Sequence, residues 1–170
     1  MLQLSGDPGG HGQDPVSRYG SYLQPPLGAG HLSVEYDPRP SAAREARAEI
    51  RKQLEEWGLA GRGDLTDPAD ELLDVAELLV SELVTNAVLH AASPFRLTVW
   101  AAHGVLRCEV TDTGRRTPQV RCAGVAESGR GMFLVDALAR RWGCHQEGSG
   151  KTVWFELGTC GSDGCGRRQP

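Results

Sequence analysis

The stretch from Glu77 to Ala91 reads Glu-Leu-Leu-Val-Ser-Glu-Leu-Val-Thr-Asn-Ala-Val-Leu-His-Ala, mostly apolar but with a glutamate and an asparagine four residues apart. In a helix, Glu82 and Asn86 lie about 40° apart on one face. Leu72, Val75, Leu78, Leu79, Val80, Leu83, Val84, Ala87, Val88 and Ala91 cover nearly all the remaining circumference, the pattern of a helix buried inside a domain. A carboxylate in such a helix is costly unless it is paired, hydrogen-bonded or bound to a metal. Two polar groups retained on one face of a core helix therefore point to chemistry. The plain alternative is a buried Glu82 satisfied by an arginine from elsewhere.

The 170 residues suffice for one domain with its own core. A net charge of -4 offers no basic stripe for phosphates, which argues against a nucleic-acid binder. No apolar run has the length of a membrane span, and the first residues lack the pattern of a secretory signal. The five cysteines form no paired pattern, which fits a reducing cytoplasm. A zinc site built from Cys144, His145, Cys160 and Cys165 is disfavoured, because the spacing matches no ligand knuckle.

Residues 1–30 and 159–170 are rich in glycine and polar residues without periodicity and are expected to be disordered, leaving a folded region of 31–158. Within it, alternation predicts a strand over 31–36, and an apolar stripe at Ala43, Ala46, Ile50, Leu54 and Trp57 predicts a helix over 41–57. The long helix should stop near Ala92, ahead of Pro94. Strands over 95–101 and 105–111 form a hairpin with one buried face, turning at His103-Gly104. A helix over 131–142 and a hairpin of 143–147 with 152–157 complete an α+β two-layer sandwich: a mixed, mostly antiparallel sheet with helices on one face.

Three further segments carry candidate chemistry. Asp112-Thr-Gly114 lies where a strand ends; it is a turn former, or a carboxylate facing a pocket with a glycine that admits close backbone approach. Gly129-Arg130-Gly131 opens a helix; it is a flexible linker, or a phosphate cradle made by free N–H groups, the helix dipole and Arg130. Gly148-Ser-Gly-Lys151-Thr152 superficially suggests a P-loop, but a glycine is missing at His145 and strand formers follow, so a tight turn with Lys151 in solvent is expected. Glu82 suits a general base or a residue orienting a nucleophile, and the Asn86 amide oxygen suits Mg²⁺. His90, one turn further, reads as a helix-end residue.

The order of these elements resembles the conserved boxes of the GHKL (histidine-kinase-like) ATPase superfamily. Ser81-Glu-Leu-Val-Thr-Asn-Ala-Val-Leu-His90, Gly129-Arg-Gly-Met-Phe-Leu-Val-Asp-Ala-Leu-Ala139 and Gly150-Lys-Thr-Val-Trp-Phe-Glu-Leu157 are similar to the anti-sigma-factor serine/threonine kinases within it. The resemblance spans roughly residues 33–157 and implies the Bergerat ATP-binding fold, with ATP and Mg²⁺ as cofactors. It implies Glu82 as catalytic base, Asn86 as Mg²⁺ ligand and Asp112 as acceptor from the adenine amino group. Gly114 would seat the base, Gly129, Arg130 and Gly131 would hold phosphates, and Thr152 would support the adenine contact through water. Residues 115–128 would form a lid, whose hinge departs from the family where Arg116 replaces a common glycine.

The same resemblance implies a kinase that phosphorylates a STAS-type anti-anti-sigma partner, sequesters a sigma factor when that partner is unavailable, and forms a homodimer. The chain has no room for the dimerising phospho-acceptor helices of sensor kinases, or for the second domain of gyrase- and MutL-like members. The alternative activity is a non-catalytic ATP-binding module that regulates a partner by binding alone.

Overall fold

The computed structural model describes residues 30–61, 67–91, 93–114, 130–148 and 150–159. The expected disordered tails, the lid, Gly129 and Cys122, Cys160 and Cys165 lie outside the described residues, apart from residues 30 and 159 at the tails' inner ends.

The apolar stretch forms a 24-residue helix, α2 (Pro68–Ala91). Its start is set by Asp67, whose carboxylate accepts a hydrogen bond from the Ala69 N–H at 2.9 Å, and by a proline in the first helical position. Asp70 and Glu71 in the first turn complement the positive end of the helix dipole. Helix α1 (Ala42–Glu56) presents Ala42, Ala46, Ile50 and Leu54, one per turn, all fully buried. It packs along α2, and Arg51 and Glu77 form an ion pair of 2.7 Å between the two helices. Leu73, Leu79, Val80, Leu83, Val84 and Ala87 of α2 are buried because the sheet, α1 and the third helix all pack on it. Leu78 does not follow the expected burial; it is exposed, as is Leu89.

Five strands follow the order β1-β2-β3-β5-β4: β1 (Gly30–Tyr36), β2 (Phe95–Ala102), β3 (Val105–Asp112), β4 (Arg141–Glu147) and β5 (Gly150–Gly158). Among the described residues every strand pair is antiparallel, where a mixed, mostly antiparallel sheet was expected. The β2–β3 turn has positive φ at both His103 (52°) and Gly104 (74°), the combination a two-residue type I′ turn requires. The chain leaves β3, passes through α3 (Arg130–Leu138) and β4, and returns as β5 between β3 and β4.

Helix α3 ends four residues earlier than the sequence suggests. Its Ala-Arg-Arg continuation would extend a helix, but the Arg140 N–H donates to the Glu156 carbonyl at 2.9 Å and draws the chain onto β5. Tertiary pairing here overrides local propensity. The Trp142 indole N–H then donates to Asp136 at 2.8 Å, tying β4 back to α3.

The helix-facing side of the sheet carries Tyr36, Phe95, Leu97, Val99, Leu106, Cys108, Val110, Val153, Phe155 and Leu157, the core of the sandwich. The other side is not the plain polar surface expected of a sheet with one buried face. Arg107 is only 6% exposed there, with its guanidinium 3.8 Å from the Trp154 ring centroid and 5.9 Å from that of Trp100. It pairs with Glu109 at 2.6 Å and Glu156 at 2.9 Å. This stacked, charge-paired ladder spans β2, β3 and β5.

Because Leu79 is fully buried at the junction of α2 with the sheet, Leu79→Ala should cost about 2–5 kcal/mol. A lower urea midpoint with an unchanged slope would show this; an unshifted midpoint would mean that the α2 packing is wrong.

Candidate functional site

Helix α2 runs beneath the site, with Glu82, Asn86 and His90 at successive turns of one face. Glu82 and Asn86 are half-buried and the His90 side chain is exposed. From Glu82 to His90 the helix advances about 12 Å, and different elements close on its two ends.

At the Glu82 end stands the first turn of α3. A Cβ placed on Gly131 would lie 2.4 Å from Glu82 Oε2 and 3.3 Å from the Glu82 Cβ and Cδ, so any larger residue would displace the Glu82 carboxylate from this position. The unpaired N–H groups and positive dipole end of α3 are thereby set beside the Glu82 carboxylate. Arg130 opens α3, but its side chain lies outside the described residues, as does Gly129. Among the described residues Glu82 has no hydrogen-bond or ion-pair partner, so the arginine partner considered from sequence is not found among them. Burial alone pushes its carboxyl above the usual value.

At the His90 end, Asp112 closes β3 and faces the helices. Its Oδ1 accepts the Gly114 N–H at 2.6 Å and lies 3.5 Å from Lys151 Nζ. Both side chains are almost wholly buried, at 2% and 5% exposure. A Cβ on Gly114 would stand 2.8 Å from Asp112 Oδ1, 3.1 Å from Lys151 Nζ and 3.3 Å from the His90 carbonyl oxygen. What packs against this ion pair on that side is therefore the bare backbone of Gly114, itself buried. The Ser93 and Thr113 hydroxyls hydrogen-bond, holding the loop after α2 against the loop after β3.

Two residues differ from their expected places. Thr152 pairs in register with Thr111, and their hydroxyls bond at 2.9 Å on the face turned away from the helices. It is not brought to Asp112. Lys151, expected in solvent, is the register partner of Asp112 and fills that place instead. The signal was in the sequence: Lys151 keeps step with Val153, Phe155 and Leu157, all buried, while Thr152 keeps step with Trp154 and Glu156. Cys144 and His145, being consecutive in β4, point to opposite faces, which separates the two described members of the zinc candidate. Among the described residues no group of three or more His, Cys, Asp or Glu side chains is placed to hold a metal, and no helix is long and apolar enough to cross a membrane.

The direction of the Glu82 shift gives a stability prediction. A carboxyl with a raised folded-state value favours folding most below its unfolded value, and that contribution is lost as pH rises through the folded one. Glu82→Gln removes the loss. Its melting temperature relative to the parent should rise as pH increases from 4 toward 7, about across that window; a constant difference would mean that Glu82 is not desolvated.

The family model for histidine kinase-like ATPase domains matches residues 39–157. An uncharacterized Streptomyces coelicolor protein, SCO4941, is 40% identical over 84 residues, covering 45% of this chain and 79% of that protein. The structure of the RsbU and RsbW domains of Rv1364c from Mycobacterium tuberculosis is similar at 25% identity and a TM-score of 0.50. That match covers 74% of this chain but 31% of the other, so this chain spans about a third of that structure. The histidine kinase domain of the Erythrobacter litoralis EL346 blue-light activated histidine kinase is 27% identical, covering 67% of this chain and 65% of that one with a TM-score of 0.43.

Proposed function

This chain belongs to the histidine kinase-like ATPase domain family, and from that premise we propose that it is an ATP-dependent protein serine/threonine kinase of the anti-sigma type. The observation that carries this reading is the placement of Glu82, which has no partner among the described residues, against the glycine-containing start of α3, with the buried Asp112 carboxylate toward the other end of the same α2 face. One end is built for oxygen anions and a hydroxyl nucleophile, the other for a hydrogen-bonding base. The similarity to a structure that contains an RsbW domain supports the anti-sigma assignment.

ATP lies along the Glu82–His90 face of α2. Asp112 accepts from the adenine amino group and Gly114 lets the base lie close. The N–H groups at the start of α3, with Gly129 and Arg130 before and within its first turn, receive the phosphates. Asn86, midway, is the residue that would hold Mg²⁺, through its amide oxygen. A Mg²⁺ held there would supply neutralisation of phosphate charge. Glu82 holds the acceptor serine hydroxyl in line and takes its proton as the serine oxygen bonds to the γ-phosphorus and the bond from that phosphorus to the β–γ bridging oxygen breaks, ADP leaving with the electron pair. A raised carboxyl value brings its basicity closer to neutral pH, where a general base works best.

The acceptor is a serine on a small anti-anti-sigma protein, and the unphosphorylated partner competes with a sigma factor for this chain. The test is incubation of the full chain with γ-labelled Mg-ATP and native extract, followed by identification of labelled proteins and of those that co-purify. Phosphoserine on a small co-purifying protein is expected. Saturable ATP binding with no transfer to any protein would replace this reading with a regulator that acts by binding alone.

A further inference from the structure

We propose that Lys151 reads the nucleotide base directly, its ammonium donating a hydrogen bond to adenine N1 while Asp112 accepts from the neighbouring 6-amino group. This deepens the nucleotide-binding reading above and rests on it.

An ammonium is costly to bury, yet the Lys151 side chain is only 5% exposed, on the helix-facing side of the sheet. A solvated turn lysine would have been free to point away. Among the described residues the group it faces is the Asp112 carboxylate, at 3.5 Å. That separation exceeds the roughly 2.7–2.9 Å of a tight charge-assisted hydrogen bond. Asp112 thus acts as counter-charge, while its Oδ1 is engaged at 2.6 Å by the Gly114 N–H. The ammonium carries three donors. It borders the bare backbone at Gly114, where a side chain would come within 3.1 Å of Nζ. A flat ring entering over Gly114 meets the carboxylate and the ammonium side by side.

The chemistry of the pair then selects the base. A carboxylate only accepts and an ammonium only donates. Adenine presents a donor, the 6-amino group, next to an acceptor, N1, and both are matched. Guanine in the same pose presents a 6-oxo acceptor to Asp112 and an N1–H donor to Lys151, and both are mismatched. A hydroxyl in place of Lys151 could donate or accept, and would not fix this polarity.

The experiment is calorimetric titration of the full chain with ATP, with 1-deaza-ATP (N1 replaced by C–H) and with GTP, repeated on Lys151→Met. The parent protein should bind 1-deaza-ATP roughly 10- to 100-fold more weakly than ATP, with GTP weaker still. Lys151→Met should bind ATP and its 1-deaza analogue nearly equally. A purely structural lysine would weaken both nucleotides in parallel and leave their ratio unchanged; that result overturns the proposal. So does equal binding of the two by the parent, a comparison that needs no variant and decides even if Lys151→Met does not fold. GTP binding tighter than ATP also overturns it. Absence of any ATP binding removes the nucleotide reading itself, and this proposal with it.

Discussion

Replacing Glu82 with alanine should reduce γ-phosphate transfer by about 10²- to 10⁴-fold while leaving ATP affinity unchanged or slightly higher. The asymmetry follows from where Glu82 sits. Its carboxylate lies beside the first turn of α3, at the opposite end of the α2 face from Asp112, Gly114 and Lys151. Base recognition is untouched by the change. The phosphate end loses a negative charge, which relieves repulsion with the incoming anion rather than weakening its seat. What disappears is the group proposed to accept the serine proton. Glu82→Gln is the stricter version, since it keeps the shape against Gly131 and removes only the basicity. Both variants should be compared with the parent for ATP binding by calorimetry and for transfer to a purified acceptor. Transfer at parental rates in either would remove Glu82 from the role of base; loss of ATP binding in both would make it a binding residue instead.

Much of this architecture could be read from residue order. The apolar density of α2 announced a helix covered on several sides, and His103-Gly104 announced a tight hairpin. The site was legible as far as helical periodicity carries: Glu82 and Asn86 share a face whatever the tertiary context. Asp112 was legible because it ends a strand that alternates cleanly. The place of Lys151 runs against residue type, because lysine beside glycines suggests solvent, while the parity of β5 puts it on the helix-facing side with Val153, Phe155 and Leu157. Strand period is a stronger constraint than residue type where one face of a sheet packs on helices. The early end of α3 was not legible, since it depends on a backbone hydrogen bond from Arg140 to a strand sixteen residues later. Nor was the Arg107 ladder, because its two tryptophans and two carboxylates come from three strands whose neighbours only the topology defines.

Asp112→Asn should lower ATP affinity by about 100-fold or more and also destabilise the fold, and the two losses have separable causes. The Gly114 N–H, 2.6 Å from Oδ1, requires an acceptor, so the asparagine amide turns its oxygen there. Its NH₂ then occupies the position of the second carboxylate oxygen. A donor there confronts the donor amino group of adenine, and a buried site with mismatched groups discriminates by factors of about 10⁴–10⁵ at its strongest. Meanwhile the Lys151 ammonium, 5% exposed, loses its counter-charge. Breaking one side of a buried pair costs about 3–5 kcal/mol. The double variant Asp112→Asn/Lys151→Met separates these effects, since it removes the stranded charge without restoring an acceptor. Its urea midpoint should recover most of what the single variant loses, while its ATP affinity stays low. Recovery of ATP affinity along with stability would mean that Asp112 serves the fold alone and that the base is held elsewhere. Failure of stability to recover would mean that the lysine is not held by the carboxylate.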